Sequence, residues 1–380
     1  MRKSIRYSIL SVLLGLGYFV TGQNFYENYI PCFQSDSTPA GSISINLHNN
    51  NFIKNNEYFS PYTTGMTYIG SVLQPEITWA LSNTFSLSAG WYLRMYYGDE
   101  QFNQSLPVIR ARYRFRPGAQ LVFGQLFGQL EHGFLEPLYN TDNYFIKNPE
   151  YGIQLLVDRK RLHTDLYLDW EKFLLQGEDT QEIITGGLLA GYALNDFNEN
   201  RGLSAHFQGI IRHFGGQVDN SESPLQSRAN VTAGLKYAFL TGLPALERIT
   251  VSSFYIQALE LSQTNTIPFE SGFALQNLVT LENKWAKVST GWFHGEYFFA
   301  PLGDYLFQSV SQLNDWYVGE KRDLITSKLL IGHAITKGVD FGFRLESYYD
   351  MQRKSNDFSY GLNISVNARV FDKKLKNGKE

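Results

Sequence analysis

The stretch DFSYGLNISVNARVF, residues 357–371, sorts its residues onto two faces. Phe358, Tyr360, Leu362, Ile364, Val366, Ala368 and Val370 fall on one face, and Ser359, Gly361, Asn363, Ser365, Asn367 and Arg369 on the other. A period of two is that of a β-strand, whose successive side chains point to opposite sides. The stretch is long enough to cross a bilayer when tilted, its apolar face toward lipid and its polar face toward an interior.

The same grammar recurs along the chain. Strands are expected near 41–49, 66–82, 84–97, 105–116, 119–128, 150–159, 161–172, 182–194, 201–214, 228–239, 249–259, 270–282, 285–296, 323–335, 338–350 and 357–371, about sixteen in all (14 to 18). Short turns at 82–84, 116–118, 159–161, 195–200, 241–247, 283–284 and 337–338 alternate with polar loops at 50–65, 98–104, 129–149, 173–181, 215–227, 260–269, 297–322 and 351–356. This predicts an all-β fold, a transmembrane antiparallel β-barrel with short periplasmic turns and long extracellular loops. A soluble β-sandwich also alternates. The barrel is preferred because the polar faces carry charge clusters and aromatics gather at strand ends (Trp91, Tyr92, Tyr96, Tyr97, Trp170, Tyr348, Tyr349). So many strands also need closure to hide their edges.

The first residues set the compartment. Arg2, Lys3 and Arg6 precede an apolar run from Ile9 to Val20 that is too short for a spanning helix, and small residues follow at Thr21 and Gly22. Residues 1–22 therefore read as a cleaved signal peptide, 23–40 as a periplasmic lead-in, 41–371 as the barrel and 372–380 as a basic tail. Without the three leader cations, 30 Lys+Arg stand against 36 Asp+Glu, a net charge of −6 that excludes a nucleic-acid-binding domain. The one cysteine, Cys32, allows no internal disulfide, and no lipobox precedes it. The outer membrane of a Gram-negative bacterium is the expected location.

Within IRARYRFRPG, residues 109–118, four arginines alternate with Ile109, Ala111, Tyr113 and Phe115. An arginine facing lipid at mid-bilayer costs about 2–4 kcal/mol, so Arg110, Arg112, Arg114 and Arg116 are expected to face the lumen. Arg94, with Tyr92 and Tyr96, extends this positive wall. Like charges two residues apart on a strand repel by roughly 0.6 kcal/mol even in water, so acids should oppose them. Strand 161–172 turns Asp165, Asp169 and Glu171 inward with His163 and Tyr167, and Glu76 and Asp158 are further inward acids. Loop 129–149 brings Glu131, Glu136 and Asp142, with Glu150 at its end.

In its strand count and in this acidic loop after the fifth strand, the chain resembles the sixteen-stranded porins. The resemblance implies a constriction with Arg94, Arg110, Arg112, Arg114 and Arg116 on one side and Glu131, Glu136 and Asp142 on the other. The loop has Glu136-Pro137-Leu138 where that family has Pro-Glu-Phe-Gly-Gly, which leaves open whether it enters the barrel or caps its mouth. The stretches EHGFLEPLY, NPEYGIQLL and LYLDWEKF are also similar to poorly characterised outer-membrane barrels of the Bacteroidota.

Four groupings could carry catalysis: His163 with Asp165, His206 with Ser204, His294 with Glu296, and His132 near Asp142. None comes with a nucleophile elbow, a zinc-ligand spacing or a phosphate loop, so a non-enzyme without cofactor or metal is expected. The expected function is a porin-like channel for passive diffusion of small hydrophilic solutes, surrounded by outer-membrane lipids. The alternative is a non-conducting barrel serving as subunit or scaffold of an outer-membrane complex, as a homo-oligomer or with other proteins. Its support is loop 297–322, whose Tyr305, Leu306, Phe307, Trp316 and Tyr317 read as an exposed docking surface.

Overall fold

The computed structural model describes residues 39–194, 201–216, 220–262, 266–314 and 317–374. The leader, most of the lead-in, the turn 195–200, Trp316 and the tail beyond Lys374 lie outside the described residues. Sixteen strands are formed: β1 (Ser42–Glu57), β2 (Thr67–Ala80), β3 (Phe85–Tyr96), β4 (Gln104–Arg116), β5 (Ala119–Gln125), β6 (Tyr151–Asp158), β7 (Leu162–Lys172), β8 (Ile183–Ala193), β9 (Gly202–Phe214), β10 (Gln226–Leu243), β11 (Leu246–Glu260), β12 (Ser271–Glu282), β13 (Ala286–Glu296), β14 (Lys321–Thr336), β15 (Val339–Asp350) and β16 (Ser355–Lys374). Each pairs antiparallel with its sequence neighbours, and β1 pairs with β16 to close the barrel. Closure joins the first and last strands, the two edges that an open sheet would leave to lipid.

Side chains sort by face as a bilayer requires. On β4, Ile109, Tyr113 and Phe115 are exposed outward while Arg110 and Arg112 are buried inside. On β16, Tyr360, Leu362 and Ile364 point out and Ser359 and Ser365 point in. Strict alternation would put Phe371 on the polar face with Arg369. A bulge corrects this: the β1–β16 register shifts between Ile45 and Asn46, so Phe371 lies opposite the outward Ile45. An extra residue in one strand resets which face follows it.

β1 also departs from expectation, running to Glu57 where a loop was expected from residue 50. Its upper half, NNNFIKNNE, is polar on both faces, so alternation gives no amphipathic signal there. On β13, Phe293 is buried inward, which turns its neighbours His294 and Trp292 outward. His294 and Glu296 are therefore not lumen residues; His294 Nδ1 lies 2.7 Å from Asp323 on the outer face.

Two extracellular connections among the described residues fold into the lumen and occupy much of it. The segment 126–150 carries a 3-10 turn (Gln129–His132) and a helical turn α1 (Asn143–Ile146), and it folds into the barrel. Its Leu130, Tyr139, Tyr144 and Phe145 pack against the inward Phe52, Tyr68, Val72, Tyr92, Val108 and Ile210. The segment 297–320 packs Phe298, Phe299, Leu306 and Phe307 against Ile256, Phe293, Leu324 and Tyr348. Leu306 and Phe307 are 1% and 0% exposed, so the docking surface expected there is an interior core instead. Apolar side chains on a long loop go where water can be excluded, and in this barrel that place is the lumen.

Candidate functional site

The loop 126–150 enters because β5 ends early. Gly124 has φ +99, and a Cβ there would lie 2.1 Å from the carbonyl oxygen of Ile109. Only glycine makes this turn without strain. After Gln125 the chain leaves the wall and crosses the lumen, bonding as it goes. Arg94 donates to the carbonyls of Lys147 at 2.6 Å and Ile146 at 3.1 Å. Gln208 accepts from the Leu135 N–H at 3.0 Å, and on the far wall Tyr348 donates to Glu136 at 2.6 Å.

The arginines and acids do not form two facing ranks. Arg110 pairs with Glu76 of β2 at 3.2 Å and donates to the Gln125 side chain at 2.7 Å, its guanidinium 4.4 Å from the Phe127 ring. Arg112 is buried beside Ser44, Asn46, Ser86 and Ser88, Arg114 is half-buried and Arg116 is exposed toward the periplasmic rim. Glu131 lines the small cavity beside Arg110. Glu136 takes Lys328 at 2.6 Å, and Asp142 takes Lys54 and Asn56. The expected partners Glu136 and Asp142 are thus replaced by Glu76, because the loop reaches past the arginine wall to lysines on β1 and β14.

Asp165 and Asp169 are buried on the inner face of β7, and Glu171 is held by Lys147 at 3.0 Å and Arg212 at 2.7 Å. Asp169 accepts from the Tyr151 N–H at 2.8 Å, whereas Asp158 is exposed. Asp165 meets His132, not expected from their separation in sequence. The ring of His132 is bound at both nitrogens, Nδ1 to Asp165 and Nε2 to Glu150, each at 2.6 Å, and stacks 3.9 Å from Tyr167. Burial would lower its pKa, but the Glu150 and Asp165 carboxylates push it from 6.5 up to about 10. A ring with both nitrogens engaged clamps the loop and has none to offer a substrate. His206 and Ser204 bond at 2.8 Å, at the periplasmic end of β9.

Two cavities among the described residues bear on this site. One of about 60 Å3 lies in the arginine wall, lined among others by His48, Glu76, Tyr92, Arg110 and Phe127. The other, of about 300 Å3, occupies the periplasmic half and is lined by Lys236, Arg248, Lys287, Lys328 and Arg344 with Glu136 and Glu282. The first joins an imidazole, a carboxylate and a guanidinium, the groups that ester hydrolysis uses to activate water and hold an oxyanion.

Residues 33–375 match the model of the lipid A 3'-O-deacylase-type family. The chain belongs to this family. Its members are named for an enzymatic activity, which corrects the expectation of a non-enzyme. That expectation rested on missing linear motifs, but in a barrel facing groups come from separate strands: His48 from β1, Glu76 from β2 and Arg110 from β4. No curated protein matches the chain. Among solved structures, it is similar to OprD of Pseudomonas aeruginosa, with 10% identity, 88% of this chain and 95% of that one covered, and a TM-score of 0.50. It is likewise similar to OpdL of the same organism (14% identity, 87% and 99% covered, TM-score 0.50). A third is a loop-deleted OmpT of Vibrio cholerae (11% identity, 86% and 99% covered, TM-score 0.50). At such identities the likeness is one of fold, that of porin-like outer-membrane barrels, and it supports an outer-membrane location for this family member.

Proposed function

We propose that the protein is an outer-membrane ester hydrolase that removes a 3'-O-linked acyl chain from lipid A. The family match over residues 33–375 carries this reading. The packed loops support it, because apolar clusters fill much of the lumen that a diffusing solute would need. In the site at His48, Glu76 and Arg110, His48 takes a proton from water as the oxygen attacks the acyl carbonyl carbon. The resulting oxyanion faces Arg110, and collapse breaks the bond to the sugar oxygen, which receives the proton from His48 as the fatty acid departs.

The test is release of fatty acid from purified lipid A by the full-length barrel in detergent. General-base removal in His48→Ala is expected to lower the rate by about 10²–10⁴-fold. A wild-type barrel that releases no fatty acid overturns the reading.

A second reading, passive diffusion of small hydrophilic solutes along a charged wall, is favoured by the cationic cavity in the periplasmic half. Planar-bilayer recording decides it: discrete conductance steps from the intact barrel support a channel, and silence refutes one.

A further inference from the structure

The wall of the barrel is notched in its outer half. β4 pairs with β3 up to Gln104, but its ladder with β5 begins only at Arg110, opposite Gly124. Among the described residues, Gln104 to Ile109, about 20 Å of strand, therefore have no strand partner on that side. An unpaired edge inside a bilayer strands polar main-chain groups, and such edges need cover. Here the sequence supplies it. Arg114 donates its N–H toward β3, so the odd residues Ser105 and Pro107 turn their main-chain groups to the open side. Pro107 has no N–H to strand, and its carbonyl accepts from the Tyr151 hydroxyl of β6 at 2.9 Å. Proline within a strand is otherwise confined to edges.

The notch lies at the level where lipid changes character. Pro107 is directly opposite Trp91, an outward tryptophan whose Nε1 donates to Ser105 Oγ at 2.8 Å. Outward tryptophans mark the boundary between acyl chains and headgroups. Below the opening, Ile109, Phe123 and Ile153 present an apolar outward face, Ile109 and Phe123 being 65% and 66% exposed. The sill of the notch is Gln125, whose carbonyl and side chain both bind Arg110. Directly behind it lies the cavity with His48, Glu76 and Arg110.

We infer that the notch above β5 is a lateral docking groove for an acyl chain of an outer-leaflet lipid, from which the chain's ester reaches Arg110. The occupant is fixed by the surroundings: the groove faces the bilayer, Ile109, Phe123 and Ile153 line its apolar side, and its edge is stripped of a donor at Pro107. The inference rests on the hydrolase reading for the fate of the ester, but docking is measurable without turnover.

The experiment places a photo-crosslinking benzoylphenylalanine at Pro107, at Ile109 in a second variant, and at Trp292 as an outward control on the far wall. Each full-length protein is held in nanodiscs of phosphatidylethanolamine and lipid A in known ratio. Crosslinks at 107 and 109 are expected to be enriched several-fold in lipid A over that ratio, while those at 292 follow it. Equal ratios at all three positions overturn the groove, whether or not the wild type hydrolyses lipid A. Enrichment at 107 and 109 by a protein that releases no fatty acid retains the groove and removes the hydrolase reading.

Discussion

His132 shows what a single residue does in this lumen. It carries a proton between two buried carboxylates, Glu150 at the end of the loop and Asp165 on the wall, and so fastens one to the other. Removing one partner of a buried charged pair costs about 3–5 kcal/mol because the remaining charge is stranded. His132→Ala is therefore expected to lower the urea midpoint of the barrel in detergent and to expose loop 126–150 to protease; an unchanged midpoint and digestion pattern would show that the clamp is not holding. The pH dependence has a definite sign. With the ring's pKa raised from 6.5 to about 10, the clamp's stabilisation is complete below pH 6.5 and is lost as pH rises through 10. Hydrogen–deuterium exchange corrected for its intrinsic pH dependence should show protection of residues 129–135 at pH 6 that has faded by pH 10.5. In His132→Ala the same residues should be open at both.

At the scale of the element, β5 decides the architecture of the interior. Seven residues long and ended by Gly124 and Gln125, it releases the chain inward halfway up the wall. Gly124→Ala forces a Cβ against the Ile109 carbonyl at a φ that side chains avoid, and a loss of about 1–3 kcal/mol in unfolding free energy is expected. Replacing residues 130–146 by a short Gly–Ser linker should raise single-channel conductance, since the apolar cluster around Tyr144 and Phe145 goes with them. Unchanged current would show that loop 297–320 alone sets the passage. This element was only half legible in the sequence. The acidic segment after the fifth strand was visible as a candidate for the lumen, but its partners were not: Lys54 stands in NNNFIKNNE, where both faces are polar and no period marks a strand. Lys328 is one charge on a strand more than 170 residues away, and only the closed sheet brings it to Glu136.

The whole molecule was more legible than its site. Alternation on strands such as β4 and β16, and short turns opposite long loops, follow directly from a bilayer outside and a polar lumen inside, so the barrel could be read from the residues. Catalysis could not, because each strand contributes one inward group to a given depth and no linear spacing records which groups meet. His48, Glu76 and Arg110 lie 28 and 34 residues apart in sequence and line one cavity. Most direct as a test of the hydrolase activity is mass spectrometry of lipid A before and after incubation with the full-length barrel, with fragmentation to locate any missing chain. The expected product is lighter by one fatty acyl group, lost from the 3'-oxygen, and is nearly absent with His48→Ala. Lipid A of unchanged mass, or loss from another position, would contradict it.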